Sequence, residues 1–119
     1  MRVAIALALV VLLTGAASAA DTRYRGRFYF GPDVQVFEPC GQLKAYWVDG
    51  DAKTLKPLIA RSEALREQHG KDHLPVYVEL TGRIDTRTPR EGPAEDYDGF
   101  LHVRKVLRVS TSIPKRCAE

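Results

Sequence analysis

Basic and aromatic side chains alternate near the start of the chain, at a spacing that could build a binding surface. Arg23, Arg25, Arg27 and Tyr29 occupy every second position. In a β-strand such residues share one face, and a basic face with aromatic rings can bind an anionic chain by ion pairing and stacking. We extend this candidate binding surface with residues of later segments: Tyr46, Tyr77 and Arg83. The alternative interpretation is that all of them are the solvated outer positions of barrel strands.

Three histidines are the next groups able to do chemistry. His69 and His73 are four positions apart, but Gly70 is predicted to end a helix between them, so they do not share a helical face. Together with Asp72 they could hold a cation at the surface, or be solvated loop residues. His102 is predicted to stand alone on an outward strand face. We expect no metal site and no cofactor.

Carboxylates cluster in a long polar segment, 86–98. The cluster consists of Glu91, Glu95, Asp96 and Asp98. Part of it is similar to a calcium-binding loop, but the later bidentate glutamate is missing at the required spacing. We predict a mobile acidic loop whose length suits it to contact a partner.

Nucleophilic catalysis finds little support in the sequence. Ser62 lies on the apolar stripe of a predicted helix, and Ser110, Thr111 and Ser112 have no histidine near them in sequence. We therefore predict that the chain is not an enzyme. A small hydrolase is the less favoured alternative.

The first 20 residues have the pattern of a secretory signal peptide. Arg2 supplies a positive start, an apolar run follows, and small residues up to Ala19 form an A-x-A cleavage site. The run is about 11 residues long, short of the roughly 20 that a transmembrane helix needs. We predict cleavage after Ala19 or Ala20, export to the periplasm or medium, and no lipid attachment, because no cysteine lies near the site.

The partner class follows from export. The formal net charge is only +3, which by itself does not imply nucleic acid. An exported domain rarely meets nucleic acid, so the basic stripe favours an anionic oligosaccharide or envelope polymer, or an envelope protein. Single-stranded nucleic acid is the less favoured alternative. The mature part, 21–119, has the length of one small domain.

Two cysteines, Cys40 and Cys117, lie in the exported part. In an oxidising compartment two cysteines usually pair, and we predict a structural disulfide between them. A free reactive thiol or a thiolate metal site is the alternative. Either would need a thiolate-stabilising setting or further ligands nearby in sequence.

Hydrophobic periodicity predicts three strands, a helix and two more strands. Period-two alternation marks strands at 23–30, 34–37, 43–48, 76–84 and 100–110, with Lys105 indicating a bulge or a snorkelling lysine in the last. Leu101, Val103, Leu107 and Val109 are predicted to share its core face. A helical stripe covers 54–69, with Thr54 as N-cap. This order predicts a mainly β, five-stranded OB-fold-like Greek-key barrel with one helix between strands 3 and 4.

Several motifs resemble the C-terminal OB domain of the envelope lipoprotein NlpE family. They are Tyr24-x-Gly26-x-Phe28, Val36-Phe37-x-x-Cys40, the strand from Pro75 to Gly82, and the closing segment 106–117. The resemblance implies an OB barrel and a role in envelope stress or copper tolerance. It does not extend to the family's acylated N-terminal cysteine or to its separate domain with a C-x-x-C motif, since this chain has neither.

Overall fold

The first hairpin follows directly from the alternation of its residues. In the computed structural model, which describes residues 21–117, strand β1 (Thr22–Gly31) pairs antiparallel with β2 (Val34–Pro39). Phe28 is fully buried and faces Phe37 across the pair, while the arginines of β1 point outward. The predicted signal peptide, 1–20, lies outside the described residues.

The helix begins earlier than predicted. Strand β3 (Tyr46–Asp49) is followed by α1 (Ala52–His69), whose N-cap is Asp51 rather than Thr54. The Asp51 carboxylate accepts the Thr54 backbone N–H at 2.7 Å, so Thr54 supplies the capped donor. Gly70 ends the helix at φ 62°, in the left-handed region that glycine tolerates, as predicted.

The remaining strands close a barrel. Strand β4 (Val76–Asp85) and strand β5 (Phe100–Ser110) complete the order β1-β2-β3-β5-β4, and β4 pairs back onto β1. The β3–β5 pairing is parallel and the other pairings are antiparallel. Short 3-10 helices cover Gly92–Ala94 and Lys115–Cys117. The predicted OB-fold-like barrel, with its helix between the third and fourth strands, is confirmed.

The core fills the barrel and extends to one face of α1. Leu55 and Leu58 are buried in it, and Ile59 and Leu65 pack against it, as the helical stripe predicts. The buried residues from the strands are Phe28, Phe37, Tyr46, Val48, Val76, Val78, Leu80, Leu101 and Val103.

Two irregularities in the pairing of β5 with β4 change which β5 side chains point into the core. Opposite β4, the register skips Arg104 and then Leu107, one on either side of Lys105. Each extra residue reverses the inward–outward alternation that follows it. The predicted bulge at Lys105 is confirmed, but the core position of Leu107 was wrong, since Leu107 is 42% exposed.

A disulfide joins the end of β2 to the end of the described chain. Cys40 and Cys117 are bonded, with their Cα atoms 4.3 Å apart, which confirms the predicted pair. The Cys40 backbone N–H donates to the Arg25 carbonyl oxygen at 2.9 Å, so the bridge anchors the last turn beside β1. Close strand approach there requires Gly26, because a Cβ would overlap the Glu38 carbonyl oxygen and the Phe37 ring.

Candidate functional site: a basic face and an aromatic cleft

The arginine stripe of β1 is part of a larger basic surface. Arg25 lies opposite Glu79 of β4, and Glu79 lies opposite Arg108 of β5, so outward residues of three strands adjoin. We call this surface the basic face; it consists of Arg23, Arg25, Arg27, Arg83, Lys105 and Arg108. The two β5 members were missed from the sequence, because their outward direction depends on the irregularities around Lys105.

One carboxylate lies at the centre of the basic face. Glu79 is 12% exposed and lies 2.6 Å from Arg23 Nη2 and 3.8 Å from Arg108 Nη1. Arg27 reaches Glu38 at the edge of the face, at 3.5 Å. Among residues 21–117, the other three cations form no ion pair; they are Arg25, Arg83 and Lys105. The face therefore carries uncompensated positive charge.

A cleft of about 500 Å³ indents the basic face beside the disulfide. Its lining includes Arg23, Arg25 and Glu79, together with Cys40 and Gln42. Arg23 is paired with Glu79 there, but the Arg25 guanidinium has no ion-pair partner among residues 21–117. It suits a carboxylate, sulfate or phosphate oxygen, because it offers several N–H donors in a planar fork.

Two tyrosines predicted to extend this surface do not reach it. Tyr77 and Tyr46 are each only 4% exposed. Tyr46 faces inward beside Phe37, so the predicted alternation of the third strand placed it on the wrong side. Tyr77 lies opposite Arg27 and Ser110 but is covered, which excludes it from a solvent-facing site.

Tyr29 belongs to a second surface, which combines aromatic rings with aliphatic side chains and one carboxylate. It lines a cleft of about 270 Å³, which we call the aromatic cleft, with Val34, Val36, Glu38, Ala45, His73 and Tyr97. Trp47 lies opposite Val36, and its ring is 5.8 Å from that of Tyr97. Burial, and next the charge of Glu38, raises the pKa of the Tyr29 hydroxyl, so it stays a hydrogen-bond donor at neutral pH. The sequence had offered only Tyr29 as a signal for this cleft.

The predicted His69–Asp72–His73 group is divided between different surroundings. His69 lines a shallow cleft with Leu65 and Leu74, whereas His73 lines the aromatic cleft. Asp72 lies 3.8 Å from Arg66. Within residues 21–117, no group of three potential ligands is arranged so that it could hold a metal ion.

His102 is not alone, contrary to the prediction. Its Nδ1 lies 2.8 Å from Asp49 Oδ2 and its Nε2 lies 3.3 Å from Asp85 Oδ2. Asp85 also accepts the Thr88 hydroxyl and the backbone N–H groups of Arg87 and Thr88, and these hydrogen bonds lower its pKa well below the usual range. Carboxylates therefore lie beside both ring nitrogens. Through these contacts, His102 of β5 joins the ends of β3 and β4.

The acidic loop is attached to the barrel near both ends. Asp98 exchanges two hydrogen bonds with the backbone of Ala45, each at 2.9 Å, and Asp85 caps the first turn. Its outward carboxylates are those of Glu91, Glu95 and Asp96. These hydrogen bonds fix the two ends, and the mobility of the segment between them stays a prediction.

No protein-family model, curated protein or solved structure matches this chain. Within residues 21–117, none of the helices combines the length and apolarity needed to cross a bilayer.

Proposed function

We propose that the chain is an exported binding module, not an enzyme, whose basic face holds an anionic polymer of the cell envelope. The observation that carries this proposal is the set of cations on the basic face without a carboxylate partner among the described residues. Glu79 is already shared by Arg23 and Arg108, so it adds little repulsion to an incoming anion.

Export is supported by two independent features. The first 20 residues have the pattern of a cleaved signal peptide. The chain has a disulfide, Cys40–Cys117, and disulfides form and persist in oxidising compartments. The periplasm is the compartment we propose, and an acidic oligosaccharide is the ligand class, because nucleic acid is seldom met there.

Binding would rest on charge and on the rigidity of the barrel. Three hydrogen-bonded strands hold the basic side chains at fixed spacing, so little backbone ordering accompanies binding. Since most of these side chains are exposed, their attraction for an anion is screened by salt. Affinity should therefore fall steeply as ionic strength rises.

The test is a titration of the oxidised mature protein with polygalacturonate, using neutral dextran as the uncharged polymer. The variant Arg25→Ala/Arg83→Ala removes two unpaired cations of the basic face. The matched control, Lys56→Ala/Arg61→Ala, removes the same charge from the exposed face of α1. We expect the first variant to bind about fivefold to tenfold more weakly at low salt, and the control to bind like the parent. If both variants bound equally weakly, net charge alone would explain the binding, and a defined site would be refuted.

A second candidate function is an NlpE-like role in envelope stress or copper tolerance, through a protein partner. The observation that favours it is the acidic loop, which carries exposed Glu91, Glu95 and Asp96 on an anchored backbone. A photo-crosslinking residue at position 95 should capture one envelope protein, and the same residue at position 61 should not. Loss of the product in Glu91→Gln/Asp96→Asn would support recognition by the loop; identical products at both positions would oppose it.

A further inference from the structure

The aromatic cleft is unsuited to the anionic ligand proposed for the basic face. Glu38 contributes a carboxylate to its wall, and this group is 30% exposed. Its ion-pair partner, Arg27, is at 3.5 Å, on the boundary with the basic face. A negatively charged group entering the cleft would meet this carboxylate, so an anion is disfavoured there.

The polar atoms around the cleft have unused hydrogen-bonding capacity. Within residues 21–117, the hydroxyls of Tyr29 and Tyr97, the indole N–H of Trp47 and the ring nitrogens of His73 make no hydrogen bond to protein. Tyr29, Trp47 and Tyr97 are all half-buried. The buried polar atoms that lack a partner within residues 21–117 do not include these, so water can reach them and a ligand's hydroxyls could replace that water.

The position of His73 is set by close packing on β1. A Cβ on Gly31 would overlap the His73 imidazole, so the ring lies directly over the glycine. The imidazole thereby stands at the cleft rim, facing the same concavity as Tyr29 and Tyr97. Three rings from three separate segments converge on one small cavity.

We propose that the aromatic cleft binds one neutral sugar ring, a hexose or N-acetylhexosamine residue of a glycan. The C–H face of a pyranose packs on aromatic rings, while its hydroxyls both donate to and accept from the groups described above. A carboxylate such as Glu38 accepts from sugar hydroxyls without needing a charged ligand. At about 270 Å³ the cleft is at the small end of ligand pockets, which fits one ring rather than a longer segment.

The single tryptophan of the chain provides the measurement. Trp47 is in contact range of Tyr97, so a ring entering the cleft should change its fluorescence. We would titrate the oxidised protein with tetramers of N-acetylglucosamine and of glucose, and with single-stranded dT10. We expect saturable binding of a neutral tetramer in the millimolar range or tighter, insensitive to salt. Any dT10 held by the basic face should be released by salt and should not displace the tetramer.

Three variants separate the cleft from the basic face. Tyr97→Ala should weaken saccharide binding about tenfold, and Tyr29→Phe should weaken it less, since only a hydroxyl is lost. Arg25→Ala/Arg83→Ala should leave it unchanged, so the two proposals fail or succeed separately. Each variant is first checked for an unaltered thermal unfolding transition; if Tyr97→Ala fails that check, Tyr29→Phe alone decides. Absence of binding by both tetramers, or displacement of a bound tetramer by dT10 at high salt, would overturn the proposal.

Discussion

His102 Nδ1 lies 2.8 Å from Asp49 Oδ2, and this contact joins the only parallel pair of strands in the described barrel, β3 and β5. On its other side, the same ring faces Asp85 at the end of β4. A neutral imidazole has one N–H, so only the imidazolium can donate to both carboxylates. His102 therefore links the ends of three strands where the β4–β5 loop begins.

The Asp49–His102 contact should contribute a measurable coupling free energy. In a double-mutant cycle of His102→Ala and Asp49→Ala, we expect about 0.5–1 kcal/mol of coupling in the free energy of unfolding, measured with urea at pH 6. The value is modest because 32% of the histidine side chain and 61% of the aspartate side chain are exposed. A parallel cycle of His102→Ala with Asp33→Ala should give no coupling; equal couplings in the two cycles would contradict a specific contact.

Asp85 should make the barrel sensitive to acid. Hydrogen bonds from Thr88, first of all, hold the folded-state pKa of Asp85 below its usual value of about 4. The folded protein therefore binds this proton less readily than the unfolded chain, so the stabilisation is present above pH 4 and is lost as pH falls. The stability difference between the parent and Asp85→Asn should be largest near neutral pH and shrink in acid. Asp33→Asn is the control, and a pH-independent difference for Asp85→Asn would refute the prediction.

The disulfide should supply a large share of the stability of so small a domain. For a closed loop with a sequence separation of 77, chain entropy predicts about 4–5 kcal/mol. Reduction should lower the free energy of unfolding by that order, as should Cys40→Ala/Cys117→Ala. The double variant should be unaffected by reductant, which controls for the reagent. Coincident urea transitions of oxidised and reduced parent protein would show that the bridge contributes little.

Ser62 offers an opportunity to stabilise the protein. It is 4% exposed, and within residues 21–117 its hydroxyl has no hydrogen-bond partner. Ser62→Ala removes an unsatisfied buried polar group and introduces a better helix former. We expect the free energy of unfolding to rise by about 0.5–1 kcal/mol, measured by urea denaturation. Gln68→Ala, at an exposed position of the same helix, measures what helix propensity alone contributes. A loss of stability in Ser62→Ala would show that the hydroxyl is needed.

Local patterns were sufficient for most of the architecture. The alternation around Phe28 predicted β1, and the stripe through Leu58 with Gly70 behind it predicted the helix and its end. The strand–helix–strand order then led to the barrel. These predictions succeeded because periodicity within one segment reports which of its faces is buried.

The candidate sites were predicted less completely. Arg23, Arg25, Arg27 and Arg83 do share one face, but Lys105 and Arg108 complete it only because of the irregular register of β5. Tyr77 lies on the outward side of β4, as predicted, yet its side chain is buried. His102 acquires its carboxylates from segments 53 and 17 residues away.

The amino-acid sequence by itself determined where strands and helix run, which thiols are available to pair, and that one strand is basic. Only the tertiary structure decided which charges are neutralised, which tyrosines reach solvent, and that Tyr29, His73 and Tyr97 share a cleft. The physical reason is range: hydrophobic periodicity acts within a segment, whereas burial and ion pairing depend on the strand or loop that closes over it. In a closed barrel that neighbour comes from a distant part of the chain.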